Sequence, residues 1–121
     1  MFNTLATSIE FIRAGKVRAL AVTTASRLEA LPDVPAANEF VPGYESSTWW
    51  GLGVPRNTPV AIVERLNREI NASFADAGMK ARFDDLGLTA APSTPAEFAS
   101  YIGEETAKWA KVVKFAGLKP Q

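Results

Sequence analysis

Apolar and polar positions follow two different periods along this chain, and the elements it predicts come from where each period holds. From residue 62 onward Ile62, Val63, Leu66, Ile70 and Phe74 recur at helical spacing, with Glu64, Arg65, Arg68 and Glu69 opposite. Thr58-Pro59 places an N-cap and a first-turn proline before them, so an amphipathic helix is predicted. Met79, Phe83 and Leu86 mark a second helix over residues 76–86, stopped by Gly87. Thr94-Pro95-Ala96-Glu97 joins a capping box to a first-turn proline, and a third helix follows through Phe98, Ile102, Trp109 and Val113 to Gly117. Near the start, Thr7 and Glu10 have capping-box spacing, which predicts a short helix over residues 8–14 ended by Gly15.

Two runs lack the helical period. Residues 17–23 are almost continuously apolar, which suits a strand covered on both faces of a parallel sheet. Residues 48–54 read as another strand, whose Gly51 and Gly53 suggest a close neighbour, and residues 88–91 as a short third one. Between the first two, Pro32, Pro35 and Pro42 leave room for a short helix at residues 36–40. The expected fold class is α/β.

The 121 residues suit one folded unit of ordinary composition, 47% hydrophobic and 21% charged. Thirteen basic residues balance thirteen acidic ones without clustering, so no nucleic acid partner is expected. No apolar stretch is long enough to cross a bilayer. Met1-Phe2-Asn3-Thr4 lacks the basic and apolar segments of a secretory leader, which by itself would keep this chain in the cytoplasm.

Candidate chemistry is sparse. The chain has no His and no Cys, which removes the commonest general base, the commonest metal ligand and the strongest nucleophile. Neither Ser26 nor Ser100 has a lysine at a motif spacing. Asp84-Asp85 and Glu104-Glu105 are adjacent pairs pointing about a hundred degrees apart on a helix, and they read as solvated faces rather than metal ligands. Glu104 and Lys108, four apart, are expected to pair on the surface. The expectation is no enzyme activity, no metal and no cofactor. Trp49 and Trp50 are neighbours on a predicted strand and point to opposite faces, so one ring is expected in a core. The other suits a ligand cleft, an interface or plain packing.

Ala14-Gly-Lys-Val-Arg-Ala-Leu-Ala-Val-Thr-Thr24, Ala30-Leu-Pro-Asp-Val-Pro35 and Pro42-Gly-Tyr-Glu45 resemble the second half of tripartite tricarboxylate transporter receptors, the Bug family. Trp49-Trp-Gly-Leu-Gly-Val-Pro55, Leu66-Asn-Arg-Glu-Ile70, Thr94-Pro-Ala-Glu-Phe98 and Glu105-Thr-Ala-Lys-Trp-Ala-Lys-Val-Val113 extend the similarity in the family's order. The resemblance implies the C-terminal portion of a two-lobed, type II periplasmic binding protein. It would capture a small carboxylate metabolite, a dicarboxylate, tricarboxylate or amino acid, and pass it to membrane transporter subunits. Residues 1–44 would belong to the second, ligand-binding lobe, residues 45–54 would form the hinge, and residues 55–121 would complete the first lobe. Ligand contacts would come from Phe2, Asn3 and Thr4 with Trp49 and Trp50, although Asn3 could equally cap a turn before the first helix.

Family members are much longer, so this chain is expected to be truncated relative to them, with an incomplete cleft. The resemblance places it in the periplasm. Strands deprived of neighbours predict a homo-oligomer. The competing reading is a small self-associating α/β interaction module without a transport role.

Overall fold

The computed structural model describes residues 1–119. Four helices form: α1 (Leu5–Arg13), α2 (Val60–Ser73), α3 (Ala77–Leu86) and α4 (Pro95–Phe115), with a short 3-10 turn at Ala37–Glu39. They divide between two compact units. One is Met1–Gly53 with Phe74–Ala90, and the other is Val54–Ser73 with the chain from Ala91 onward.

In the first unit α1 packs on α3. Its helix begins three residues earlier than the Thr7 capping box suggested, with Thr4 as the N-cap residue, because the Thr4 carbonyl already accepts the Thr7 N–H at 3.2 Å. Ile9, fully buried, is directed at Gly87, the left-handed residue that ends α3 at φ 65°. Any Cβ there would sit 2.6 Å from Leu5 Cδ2 and 3.0 Å from Ile9 Cδ1, so glycine serves both the turn and the packing. Arg13 Nη1 donates to the Asp85 carbonyl at 3.1 Å and ties the far ends of the two helices. At the start of α3, Asp76 is the N-cap and not the first helical residue, its carboxylate accepting the Met79 N–H at 2.9 Å.

The predicted strands are where sequence and structure part. Among the described residues the strand pairing is a single parallel bridge, Val22 with Ala36, made by Val22 N–H to the Pro35 carbonyl at 2.9 Å and Ala37 N–H to the Val22 carbonyl at 2.8 Å. The bridge cannot lengthen toward residue 20, because the next bond would need an N–H from Pro35. In the other direction Ala37–Glu39 turns into the 3-10 helix. Residues 17–23, 48–54 and 88–91 are therefore not ladder strands here, and an α/β sheet is not formed by the described residues. An apolar run favours burial, but a strand also needs a partner.

The second unit pairs α2 with α4. Asn67 and Asn71, one turn apart on α2, both donate their side-chain amides to the Ser93 carbonyl, at 2.8 and 3.0 Å, and so hold the segment that enters α4. The entry itself is the predicted capping box. Thr94 Oγ1 accepts the Glu97 N–H at 3.2 Å, and Glu97 Oε2 accepts the Thr94 N–H at 2.8 Å. No helix of the described residues is long and apolar enough to cross a membrane.

Candidate ligand-contact site

The residues before α1 form a small hydrogen-bonded turn. Asn3 Oδ1 accepts the Thr4 N–H at 3.0 Å and the Thr7 hydroxyl at 3.1 Å, and the Thr4 and Thr7 hydroxyls lie 2.9 Å apart. Ser8 Oγ donates to the Thr4 carbonyl at 2.9 Å. This is the turn-capping role anticipated for Asn3, and it occupies only the acceptor half of the amide. Its Nδ2 has no hydrogen-bond partner among the described residues.

What this arrangement offers is anion chemistry. The first turn of α1 contains no acidic residue, and no side chain caps its N–H groups. A helix start of this kind carries partial positive charge and orphan donors suited to a carboxylate. Asn3 Nδ2 adds a neutral donor that can follow a carboxylate's shape, while the Thr4 hydroxyl hydrogen is directed at Thr7 Oγ1.

Trp49 and Trp50 belong to the same unit. Their exposures are 39% and 67%, so neither ring is sealed in a core, contrary to the expectation that one would be. With residues 48–54 not pairing as a strand, nothing forces the two rings onto opposite faces of a sheet. The structure thus joins Asn3 and Thr4 by hydrogen bonds and leaves Phe2 and Trp50 as solvent-facing apolar surface.

Two features escaped the sequence reading. The first is an open concavity of about 740 Å³ in the first unit, with Phe74, Met79, Phe83 and Leu88 as its apolar floor. The Phe74 and Phe83 ring centroids are 5.6 Å apart. At its rim Arg27 and Lys80 are offset by Glu29 and Asp84, so the concavity has no net preference for an anion. Arg27 is further committed to Glu39 through two 2.8 Å bonds, and this fork, with the Ala36 N–H, lowers the Glu39 carboxyl to about 2.

The second is Glu105, which is 9% exposed and not on a solvated face. Its Oε1 meets Lys108 Nζ at 2.9 Å and its Oε2 accepts Trp109 Nε1 at 2.9 Å. Lys108 therefore pairs with Glu105, whereas Glu104 accepts the Ser100 hydroxyl at 3.1 Å. The spacing i, i+3, i+4 of Glu105, Lys108 and Trp109 was the available signal, since those three share a helix face. Among the described residues no group of three or more acidic side chains is placed to hold a metal ion.

Residues 1–118 match the family described as "Tripartite tricarboxylate transporter family receptor". A protein of Pseudomonas sp. (strain P51), described as "UPF0065 protein in tcbD-tcbE intergenic region", is 36% identical over 115 residues, 93% of this chain and 34% of that protein. Protein BugT of Bordetella pertussis (strain Tohama I) is 33% identical over 112 residues, 92% of this chain and 34% of BugT. The solved periplasmic binding protein BugD superposes with a TM-score of 0.83 at 31% identity, covering 94% of this chain and 39% of BugD. The chain spans about a third of the length of these curated relatives.

Proposed function

Because the chain belongs to the tripartite tricarboxylate transporter receptor family, we propose that it forms the C-terminal part of an extracytoplasmic receptor that captures a small carboxylate and passes it to a membrane transporter. The match of residues 1–118 to a receptor family carries this reading, and the periplasmic-binding-protein fold shared with BugD supports it. Capture without reaction fits a chain whose side chains include no imidazole and no thiol.

In this reading residues 1–44 contribute to the ligand-binding lobe and residues 45–54 cross between lobes; of residues 55–121, α2 and α4 complete the other lobe, while α3 stays with α1. The start of α1 grips a carboxylate through backbone N–H groups, Asn3 and Thr4, while Phe2 and the Trp49-Trp50 pair wall off water. Support comes from the donors and the absent acidic side chains described above.

Calorimetry tests it. A chimera in which this chain replaces the corresponding third of BugT is titrated with mono-, di- and tricarboxylates and with their amide analogues. Saturable heat for a carboxylate and none for its amide is the expected result. Silence across the series from a folded chimera would overturn the carboxylate reading.

A further inference from the structure

The overall charge balance hides a local imbalance on α4. Residues 106–121 hold four lysines and no acidic residue, in a chain whose net charge is zero. Lys108 is taken up by Glu105, whereas Lys111 and Lys114 are exposed and make no ion pair among the described residues. Within this cationic stretch Phe115 is 95% exposed, and Leu118, three residues on, is 63% exposed.

Phe115 is not on the side of α4 that turns inward. That side is marked by the buried Glu105, with Phe98, Ile102 and Trp109 in the same stripe. At about 100° per residue, Phe115 lies about 80–140° from these four and within about 40° of Lys108 and Lys111. A ring flanked by unpaired lysines is not a position that a protein interior covers, since lysine is almost never fully buried without a partner. The negative end of the helix accounts for a lysine in the last turn, Lys114, but not for the phenylalanine beside it.

Exposed cations with an aromatic ring among them, on one convex helix end, suit the boundary between water and anionic lipid. The ammonium groups meet headgroup phosphates while the ring enters the acyl boundary. Since α4 is not long and apolar enough to cross a membrane, the contact lies along a surface. A stable protein partner would need about 20–30 residues a side, far more than the last turns of one helix supply. We propose that the last two turns of α4, through Lys111, Lys114 and Phe115, rest the receptor on an anionic phospholipid surface. The hold is weak and reversible, about fivefold in partition for each lysine, and it keeps the receptor beside the bilayer that houses its transporter. The proposal takes the extracytoplasmic placement from the function proposed above but not the ligand, so calorimetric silence toward carboxylates leaves it standing.

Sedimentation with vesicles at low salt, without added carboxylate, tests it. The 121-residue chain should partition onto equimolar phosphatidylglycerol and phosphatidylcholine, and far less onto phosphatidylcholine alone. Lys111→Gln with Lys114→Gln should lower that partition about 25-fold, and Phe115→Ser about tenfold. Lys16→Gln with Lys80→Gln, the same charge change elsewhere, should leave it unchanged, and circular dichroism should show the same helicity in every variant. The same losses are expected in the BugT chimera. Equal partition onto both kinds of vesicle would overturn the proposal, as would an equal loss in the Lys16 and Lys80 pair. Binding to solubilised transporter subunits that needs Lys111 and Lys114, with none to vesicles, would assign the patch to a protein and overturn it too.

Discussion

Trp109 Nε1 donates to Glu105 Oε2 at 2.9 Å, across one turn of α4, and the same carboxylate meets Lys108 Nζ at 2.9 Å through its other oxygen. A carboxylate 9% exposed needs such partners, since burial without them costs several kcal/mol. Trp109→Phe keeps a ring and deletes one charge-assisted bond. Chemical denaturation should register a loss of about 1.5–3 kcal/mol, and Glu104→Ala, on the exposed neighbour, less than about 0.5 kcal/mol.

Gly87→Ala should be the most damaging single methyl in the first unit. It combines φ 65° with a Cβ 2.6 Å from Leu5 Cδ2 and 2.9 Å from Leu5 Cγ. Left-handed backbone costs a non-glycine residue about 1–2 kcal/mol, and overpacking adds about 1–3 kcal/mol. Leu5→Ala opens space for the new methyl, so the double variant should recover part of the loss in the same urea titration.

Acid should weaken the fold in a window set by two carboxylates. Glu39 is lowered from 4.5 to about 2, first by its hydrogen bonds from Arg27 and then by the Ala36 N–H. Glu97 is lowered by the Thr94 N–H and then the Thr94 hydroxyl. A depressed carboxyl contributes stability that is present above its unfolded value and lost as pH falls toward its folded one. The denaturation midpoint should therefore fall on acidification below 4.5, with the Glu39 part continuing down to about 2. Glu39→Gln should flatten that decline.

Thr94→Ala removes the α4 cap and leaves the Glu97 N–H without its acceptor. About 0.5–2 kcal/mol of stability should go, and circular dichroism should show fraying at the start of the helix.

For the proposed site, Asn3→Ala in the BugT chimera should weaken carboxylate binding by about 1.5–3 kcal/mol, roughly ten- to a hundredfold. Asn3→Asp separates ligand contact from turn formation. It keeps the acceptor that Thr4 and Thr7 use, removes the amide donor and adds a repelling charge. If Asn3 only shapes the turn, Asn3→Asp will bind as the parent does.

All four helices were readable in the sequence because what makes them is local. Thr94 and Glu97, Asp76, and Gly87 are cap residues within one turn of the ends they define. Even there α1 began at Leu5, with Thr4 at the N-cap position through its carbonyl, which accepts the Thr7 N–H, and not through its side chain. Residues 17–23 and 48–54 were read as strands from composition, but a ladder is made with groups far along the chain, and Pro35 withholds the one N–H that would extend the Val22 bridge. In the site, the Asn3 turn was legible as one of two options. The exposure of Trp49 and Trp50 was not, because it depends on what stands opposite them.

Neither compact unit is a continuous run of residues, and that fixes an order of events during synthesis. Ile9 and Leu5 find their packing partner at Gly87, about 80 residues later. At 5–20 residues per second, α1 emerges from the ribosome roughly 4–16 s before α3 exists to receive it. Through that interval Ile9, the large side chain buried most completely in the finished chain, is apolar surface on a nine-residue helix too short to persist in water alone. α1 is thus made well before it can settle on α3, and the segment through Leu5 and Ile9 is open to a chaperone throughout that interval.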